Sequence, residues 1–266
     1  MAPVRLSGSA ASGRAPPRIP ATHRVYAIGD VHGRLDLLEQ LVATIRADNA
    51  GRGPAQVWII LLGDLVDRGP DSAAIVARCM AFTQRSDHFV VLRGNHEAMM
   101  VDAIGGNLLA LSLWLRHGGG PALSSWGVSE HLVGAGASPE LLRAARAQVP
   151  ADVVQWLAAL PLTWTLGDYL FVHAGVRPGC SLTDQRAEDL LWIRKEFLES
   201  EADEGYVVVH GHSISDEGVV VRPNRIGIDT GAYRTDVLTA LALEGTERWV
   251  LATKGTGTVR LVEPSE

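Results

Sequence analysis

Apolar residues along this chain follow two different spacings, which alternate through the first hundred positions. Continuous apolar runs with the length of buried strands occur at 24–28, 57–62 and 89–92. After the first run, apolar side chains recur at the spacing of one helix face, at Leu35, Leu38, Val42 and Ile45. The alternation of strand and helix up to residue 97 predicts an open α/β sheet.

Residues 98–165 have a different pattern. They are rich in Leu and Ala, and Ser138-Pro139-Glu140 has the form of a helix start. A further helical pattern runs from Val153 to Leu160 and stops at Pro161. We therefore expect a helical insert that forms a cap or wall beside a site, rather than a separate domain.

Strand character returns after the insert and continues to the end of the chain. The six segments are 169–172, 206–209, 225–228, 238–243, 249–253 and 258–262. We expect the last four to form an antiparallel run that closes a second sheet. At the other end, residues 1–22 are rich in Pro, Ala, Ser, Gly and Arg, which predicts a disordered tail before one folded domain over 23–266.

Composition narrows the class of protein. Of 266 residues, 47% are hydrophobic and 20% charged, which is ordinary for a globular domain. The net charge of −6 argues against a nucleic-acid partner, and two cysteines are too few for a disulfide framework or a thiolate metal site. Because no apolar run approaches a membrane span, we expect a cytoplasmic protein with no membrane partner.

Each of the first three strands leads into a glycine turn with a polar residue at the strand's carboxyl end. These turns read Gly-Asp-Val-His-Gly at 29–33, Gly-Asp-Leu-Val-Asp-Arg-Gly at 63–69 and Gly-Asn-His-Glu at 94–97. Two later strands end in His-Ala-Gly at 173–175 and His-Gly-His-Ser at 210–213. Since open α/β sheets build ligand sites at these ends, we expect the turns to share one site.

The polar residues of these turns are typical ligands of hard or borderline metals. The chain offers Asp30, His32, Asp64, Asn95, His173 and a histidine from 210–212. Carboxylate, imidazole and amide oxygen without thiolate favour Mn, Fe, Zn or Mg. Two divalent ions close together would activate a water and neutralise phosphoryl charge, so the pattern predicts two-metal hydrolysis of phosphate esters. The ligand types suit Mn²⁺ first, although affinity order alone would favour Zn²⁺, and Fe is a further alternative.

The five motifs in this order resemble the phosphoprotein phosphatase family of metallophosphoesterases, in particular its bacterial and phage Ser/Thr protein phosphatases. The resemblance spans roughly residues 23–245. It implies the metallophosphoesterase fold, in which two packed mixed β-sheets are flanked by helices. On this basis, 23–266 would be a single catalytic domain with the insert 98–165 beside the active site.

The resemblance also implies which residue holds which metal. Asp30, His32 and Asp64 would hold one ion. Asp64 would bridge to a second ion, held also by Asn95, His173 and His212. His212 is preferred to His210 because the family's ligand is the histidine of Gly-His-Ser/Thr, and His210 is expected to be a core or supporting residue.

Catalytic roles follow from the same resemblance. His96 would be the general acid, and Asp67 would pair with it and raise its pKa. Arg68 would grip the phosphoryl oxygens, and Arg194, two residues after Trp192, would be a second clamp. The alternative for Arg194 is a solvated position on a helix surface.

Two further residues lie in or near these motifs. Glu97 completes the third motif but is not expected on a metal, so a structural or supporting role is predicted. Tyr233 lies in a stretch that resembles the family's closing segment, which makes it a candidate for facing the substrate.

Three functions are compatible with these motifs. The first is dephosphorylation of phosphoserine and phosphothreonine in proteins, with inorganic phosphate as product. The second is symmetrical hydrolysis of a dinucleoside tetraphosphate; enzymes of that branch typically carry other residues at the positions of Asp67 and Glu97, so the first function is favoured. The third, a non-catalytic binding module, predicts a lost ligand or acid, and every required residue type is present.

Overall fold

The structure of the protein is a computed structural model that describes residues 4–6, 15–215, 218–253 and 261–262. In these ranges the strands are β1 (Val4–Arg5), β2 (His23–Ile28), β3 (Gln56–Leu61), β4 (Phe89–Val91), β5 (Thr163–Leu166), β6 (Tyr169–Val172), β7 (Val207–His210), β8 (Val219–Val221), β9 (Arg225–Gly227), β10 (Thr239–Glu244), β11 (Glu247–Ala252) and β12 (Leu261–Val262). The α-helices are α1 (Leu35–Ala50), α2 (Ser72–Thr83), α3 (Asn95–Gly105), α4 (Leu108–Trp114), α5 (Gly120–Ser125), α6 (Glu130–Gly134), α7 (Pro139–Gln148), α8 (Ala151–Ala159), α9 (Ala187–Trp192), α10 (Lys195–Leu198) and α11 (Ala232–Thr235). A π-helical turn covers Leu115–Gly119, and a 3-10 helix covers Leu182–Asp184.

The strands form two mixed sheets. The first has the order β1-β11-β10-β2-β3-β4, and the second has the order β12-β8-β9-β7-β6-β5. In the first sheet β2, β3 and β4 are parallel, and in the second β6, β7 and β9 are parallel. The predicted α/β fold of two mixed sheets flanked by helices is therefore confirmed.

Alternation along each central strand explains why the apolar runs are continuous. Tyr26 and Ile28 pack with the helices, whereas Val25 and Ala27 pack in the layer between the two sheets. The second sheet supplies Phe171 and its neighbours to the same intersheet layer. Both faces of these strands are buried, so polar alternation is lost.

The register of the parallel strands brings the motif turns together. Ile28 pairs with Leu61, and Leu61 pairs with Val91, so β2, β3 and β4 end side by side. In the second sheet Val172 pairs with His210, so β6 and β7 also end together. The five motifs consequently meet where the carboxyl ends of the two parallel sets approach each other.

The helical insert is present with one change at its end. Its helices run through α8, and the Ser138 side chain caps α7 by accepting a hydrogen bond from the Leu141 amide at 3.1 Å. The last residues of the predicted insert, 163–165, belong instead to β5, which pairs antiparallel with β6 at the edge of the second sheet.

The expected antiparallel run of the last four strands is wrong in its partners. β10 and β11 form a hairpin that joins the first sheet, where Leu241 pairs with Ala27. β9 lies parallel to β7 in the second sheet. Of the predicted strand 258–262, the part before β12 lies outside the described residues. Apolar content marks these segments as strands, but it does not specify which sheet edge they join.

The predicted disorder of residues 1–22 is also wrong for the parts that the structure describes. β1 pairs antiparallel with β11, Leu6 is buried, and Ile19 is fully buried in the intersheet layer. The Ile19 amide donates to the Gly245 carbonyl at 2.9 Å. Pairing with β1 provides hydrogen-bond partners for the backbone groups at the edge of β11. The side chains of Leu6 and Ile19 add apolar area to the core. Residues 1–3 and 7–14 lie outside the described residues. Among the helices that the structure describes, none has the length and apolar character of a membrane span.

Replacement of Ile19 by alanine tests whether this segment belongs to the folded domain. Ile19 is 0% exposed, whereas Val4 in β1 is 40% exposed. We expect Ile19→Ala to lower the free energy of unfolding by about 2–4 kcal/mol. The matched Val4→Ala change should cost less than about 0.5 kcal/mol. Urea denaturation measures the free energy of unfolding of both variants. Equal small losses would support the prediction that this segment is a disordered tail.

Candidate active site and metal centre

Nine of the ten predicted site residues lie in segments that follow strands of the two sheets, and Arg194 lies between α9 and α10. Eight of them are buried: Asp30, His32, Asp64, Asp67, Asn95, His96, His173 and His212. Arg68 is half-buried and Arg194 is exposed. The predicted set thus comprises a buried group of acids, histidines and one amide, with two arginines nearer the surface.

The turns that carry this group have unusual backbone geometry. Five site residues other than glycine have a positive φ: His32 at 46°, Asp64 at 49°, Asp67 at 75°, Arg68 at 70° and His212 at 60°. Such conformations are uncommon for non-glycine residues and cost about 1–3 kcal/mol each. They cluster where a fold holds side chains in a particular arrangement. The clustering independently marks this region as a candidate functional site.

Asp64 lies at the centre of the group. It shares one cluster of candidate ligand atoms with His32 and His96, and a second with His173 and His212, each within 4.8 Å. Its Oδ2 lies 3.5 Å from His32 Nε2, and its Oδ1 lies 3.4 Å from His173 Nε2. The two carboxylate oxygens therefore serve two clusters, which is the arrangement required of a bridging ligand.

The remaining predicted ligands surround these clusters. The Asn95 side-chain oxygen lies 2.8 Å from His173 Nε2 and 2.9 Å from His212 Nδ1. The Asp30 carboxylate accepts a hydrogen bond from the His212 amide at 3.1 Å. His32 and His173 are oriented through their Nδ1 atoms, which donate to the carbonyls of Val66 and Leu62, both at 2.9 Å. All six predicted metal ligands are brought together.

The electrostatics of the group fit a divalent cation. Burial, followed by the charges of Asp229 and Asp64, raises the pKa of Asp30 well above its usual value. Burial raises the pKa of Asp64 to about 6 and lowers that of His173 to about 4 and that of His212 to about 2. The buried carboxylates face neutral imidazoles, and the charge of Arg68 compensates them only in part. His212 Nε2 is buried without a hydrogen-bond partner among the described residues. Oxygen and nitrogen donors without thiolate fit Mn, Fe or Zn.

Asp229 is a site residue that the sequence analysis did not assign. It is buried, its side chain hydrogen-bonds that of Asp30, and its Oδ1 accepts the Gly231 amide at 2.9 Å. Burial raises the pKa of Asp229 as well. Its signal in the sequence is the same as that of Asp30, an aspartate directly after an apolar strand.

His96 and Asp67 form a close pair. His96 Nδ1 lies 2.6 Å from Asp67 Oδ2. Burial is the largest influence on the pKa of His96, which is lowered overall, while the charges of Asp64 and Glu97 oppose that shift. The expectation that Asp67 raises this pKa stays a prediction. Burial also raises the pKa of Asp67 well above its usual value. For both groups, desolvation is the largest influence on the pKa.

The two arginines lie on different sides of the group. Arg68 Nη2 donates to His96 Nε2 at 3.2 Å, and its guanidinium lies 4.3 Å above the Tyr233 ring. The Tyr233 ring in turn lies edge-on to His32 at 5.3 Å. Arg194 is the N-cap residue of α10, and its charge contributes, after burial, to the lowered pKa values of His173 and His212. Arg194 is therefore exposed at the surface but electrostatically linked to the second cluster.

Glu97 has the structural role that was predicted for it. It is fully buried, and its carboxylate accepts four backbone amides: Asp64 and Gly94 at 2.8 Å on Oε2, and Leu65 and Val66 at 2.8 and 3.2 Å on Oε1. These bonds join the turn after β3 to the first turn of α3. By joining these two segments, Glu97 fixes the position of Asp64 relative to His96.

The two histidines of the 210–213 motif are separated by the structure. His212 joins the cluster around Asp64, whereas His210, among the described residues, is in neither cluster. His210 is buried with its ring edge-on to Phe197 at 5.1 Å, and its Nδ1 donates to the Gly211 carbonyl at 3.0 Å. The geometry is consistent with the preference for His212 as the candidate ligand.

Comparison with known proteins identifies a family that matches this chain. Residues 23–239 match the calcineurin-like phosphoesterase family. The chain is similar to the symmetrical bis(5'-nucleosyl)-tetraphosphatase of Acidovorax sp. (strain JS42), with 33% identity over 158 residues that cover 58% of this chain and 44% of that protein. It is also similar to serine/threonine-protein phosphatase 1 of Salmonella typhimurium (strain LT2), with 37% identity over 95 residues that cover 36% of this chain and 38% of that protein. Each match thus spans less than half the length of the curated relative.

A solved structure has the same fold. A crystal structure of a protein provisionally described as a diadenosine tetraphosphatase superimposes with a TM-score of 0.60, at 20% identity, covering 91% of this chain and 100% of that one. At this level of identity, the likeness concerns the fold alone.

Replacing Glu97 by glutamine tests its contribution to the site. A glutamine retains one acceptor oxygen and presents an N–H₂ donor to two of the amides, which leaves buried amides unpaired. Burial raises the pKa of Glu97 to about 6, so its carboxyl group is ionised at about pH 8. At that pH we expect Glu97→Gln to lower the free energy of unfolding by about 3 kcal/mol or more. Glu39→Gln is the control, because the Glu39 side chain is 54% exposed and pairs with Arg78 at the surface. Denaturant unfolding measures the loss of stability in both variants. Similar small losses in the free energy of unfolding would contradict the role of Glu97.

The raised pKa of Asp64 predicts a pH dependence of metal binding. In the metal-free chain burial raises this pKa to about 6, and a carboxyl must lose its proton to bind a metal. A proton therefore competes with the metal below about pH 6, so affinity should fall by about tenfold per pH unit there and be nearly independent of this group above about pH 7. Calorimetric titration with Mn²⁺ in two buffers of different ionisation enthalpy measures the proton released. Unchanged proton release across this range, or the same profile in Asp64→Asn, would contradict the assignment.

Proposed function

Because the chain belongs to the calcineurin-like phosphoesterase family, we propose that it hydrolyses phosphate esters at a centre of two divalent metal ions. The observation that carries this proposal is the position of Asp64, whose two oxygens face two separate clusters of candidate ligands. The first cluster includes His96, which is paired with the buried Asp67 carboxylate and contacted by the Arg68 guanidinium. The arrangement supplies each group that phosphoryl transfer to water requires.

The proposed metal ligands are those of the sequence analysis. Asp30, His32 and Asp64 would hold one ion, and Asp64, Asn95, His173 and His212 would hold the other. When bound, two such ions lower the pKa of a water and neutralise charge on the phosphoryl oxygens. Mn²⁺ is the first candidate, with Fe or Zn as alternatives. The buried acids and the unpartnered His212 Nε2 support an ion at this place.

Arg68 is proposed to bind the phosphoryl group. Its guanidinium can offer two parallel N–H donors, which match two oxygens of a phosphate. Contact with the Tyr233 ring restricts the guanidinium plane, and its described side-chain acceptor is His96 Nε2. An arriving phosphate would replace that acceptor and leave Nε2 free to carry a proton. Arg194 is proposed to contact the phosphate from the side of His212.

His96 is proposed to protonate the leaving oxygen. Its Nδ1 proton is held by Asp67, so Nε2 is the atom that remains for transfer. Burial lowers the pKa of His96 in the metal-free chain. The negative charge of a bound phosphoryl group would favour the protonated ring and oppose this shift. The acid would thus be charged when substrate is present.

For the substrate, we propose phosphoserine and phosphothreonine in proteins, with inorganic phosphate released. Similarity to the Salmonella phosphatase supports this choice, as do the intact Asp67 and Glu97 within their motifs. Arg194 and Trp192 are exposed at the edge of the site, where a polypeptide has access.

Symmetrical cleavage of a dinucleoside tetraphosphate is the second candidate. It is favoured by the similarity to the Acidovorax tetraphosphatase, which covers more of this chain than the phosphatase match does. The roles proposed for the metal ligands, Arg68 and His96 would be the same. Water would attack one of the two central phosphorus atoms, which carries a nucleotide, and the products would be two nucleoside diphosphates in place of inorganic phosphate and a side-chain alcohol.

Turnover of two substrates by the same preparation tests the proposal. Full-length protein is stripped of metal, reloaded with Mn²⁺ and assayed on a phosphothreonine peptide and on diadenosine tetraphosphate. We expect faster turnover of the peptide, loss of both activities in Asp64→Asn, and no loss in Asp87→Asn, an exposed aspartate of the same type. Without the bridging carboxylate the two ions cannot be held as a pair.

Each other outcome of this assay has a defined meaning. Faster cleavage of the dinucleotide would establish the second candidate and keep the metal assignments. Near-normal activity in Asp64→Asn would exclude the two-metal centre. Absence of turnover by the metal-loaded wild type on both substrates would contradict the proposed hydrolysis of these esters.

A further inference from the structure

Trp114, in the helical insert, makes direct contact with the candidate catalytic pair. It is the last residue of α4 and is fully buried. Its indole N–H donates to both oxygens of the Asp67 carboxylate, at 2.9 Å to Oδ1 and 2.8 Å to Oδ2. A helix of the insert therefore reaches the residue that holds His96.

The surroundings of Asp67 make this contact consequential. The carboxylate is 0% exposed, and within the described part of the chain its side-chain hydrogen-bond partners are Trp114 and His96. The Asp67 amide donates to Ser72 Oγ at 3.0 Å, which fixes the backbone but not the carboxylate. Since an indole N–H can only donate, Trp114 favours the ionised carboxylate in one orientation.

The turn after Trp114 is shaped to hold this position. Gly119 lies against the indole ring, where a Cβ would approach a ring carbon to 2.6 Å. Gly118 has a φ of 104°, and its carbonyl accepts the Arg68 amide at 2.9 Å. One turn of the insert thus contacts two consecutive site residues, Asp67 through the indole and Arg68 through the backbone.

We propose that Trp114 is a positioning residue for the general acid: its indole N–H holds the Asp67 carboxylate in the orientation that directs His96 Nε2 towards the leaving oxygen. The insert then does more than enclose the site, because it sets the geometry of proton transfer. The catalytic consequence rests on the proposed function. The hydrogen-bond chain from Trp114 through Asp67 to His96 does not, and it can be measured separately.

The chain offers a matched pair of substitutions. Trp114→Phe removes the N–H donor and keeps an apolar ring. Trp249→Phe makes the same change at another buried tryptophan, which lies in β11 and is 1% exposed. The Trp249 indole donates to Asp48 Oδ2, in α1, at 3.2 Å. Trp249→Phe therefore reports the general cost of losing a buried indole hydrogen bond. Thermal melts of both variants establish that they are folded at the assay temperature.

The first readout is proton NMR of the full-length, metal-free protein. The His96 Nδ1 proton, in a short bond to a carboxylate, should give a downfield signal that is absent in His96→Asn. We expect Trp114→Phe to shift or broaden this signal and Trp249→Phe to leave it unchanged. An unchanged signal in Trp114→Phe would overturn the proposal. If Trp114→Phe does not fold, the test uses the wild-type chain. A nuclear Overhauser contact between the Trp114 indole N–H proton and the His96 Nδ1 proton supports the proposal, and its absence overturns it.

The second readout is the dependence of turnover on the leaving group, in Mn²⁺-loaded protein. We expect Trp114→Phe to lower kcat for phenyl phosphate by about tenfold or more, because a poor leaving group needs the acid. For 2,4-dinitrophenyl phosphate, which needs little protonation, kcat should change by less than about twofold, and KM should be unchanged for both esters. Equal losses on both esters, or the same profile in Trp249→Phe, would overturn the proposal.

These two readouts separate the proposal from the proposed function. A wild-type chain that hydrolyses neither ester would contradict the function, whereas the NMR signals would still decide whether Trp114 holds Asp67 and His96. An active wild type with an unaltered Trp114→Phe would contradict the role of Trp114 alone.

Discussion

The site depends on the carboxylate of Glu97, which binds four backbone amides from two separate segments. Hydrogen bonds from amides to a buried carboxylate contribute about 1.5–3 kcal/mol each. These bonds oppose the cost of burying the Glu97 carboxylate, which raises its pKa to about 6, and they hold Asp64 at its positive φ. Because the bonds join the turn after β3 to the first turn of α3, they also place Asn95 and His96 relative to Asp64. The candidate metal and acid groups therefore share one structural support.

Burial at this support has an electrostatic consequence. Asp30, Asp64 and Asp229 lie together away from solvent, and the pKa of each is raised. The neighbouring histidines are neutral for the same reason, since burial disfavours their charged forms. A divalent cation bound here would supply positive charge to carboxylates that Arg68 compensates only in part.

The two sides of the site come from different parts of the architecture. The first sheet and the insert place the Asp67–His96 pair and Arg68, with Trp114 and Gly118 in direct contact with them. The second sheet places His173 and His212, and Arg194 directly precedes α10. Relatives with different named activities share the family, so differences in substrate are expected where the insert and α10 shape the edge of the site. The metal ligands lie deeper, on the strand ends.

Much of this architecture follows from local sequence pattern. Apolar continuity marked β2, β3 and β4 as buried strands, and the polar residue after each strand marked Asp30, Asp64 and Asn95 as neighbours, because parallel strands in register end together. Pairing partners were beyond that pattern: β10 joins β2, and Ile19 enters the intersheet core, since apolar residues fit many surfaces equally well. Contacts between distant residues, such as Trp114 with Asp67 and Asp229 with Asp30, were likewise decided only in three dimensions. So was the lowered pKa of His96, because the cost of desolvation depends on how the whole chain packs around a charge and not on the charged partner next to it.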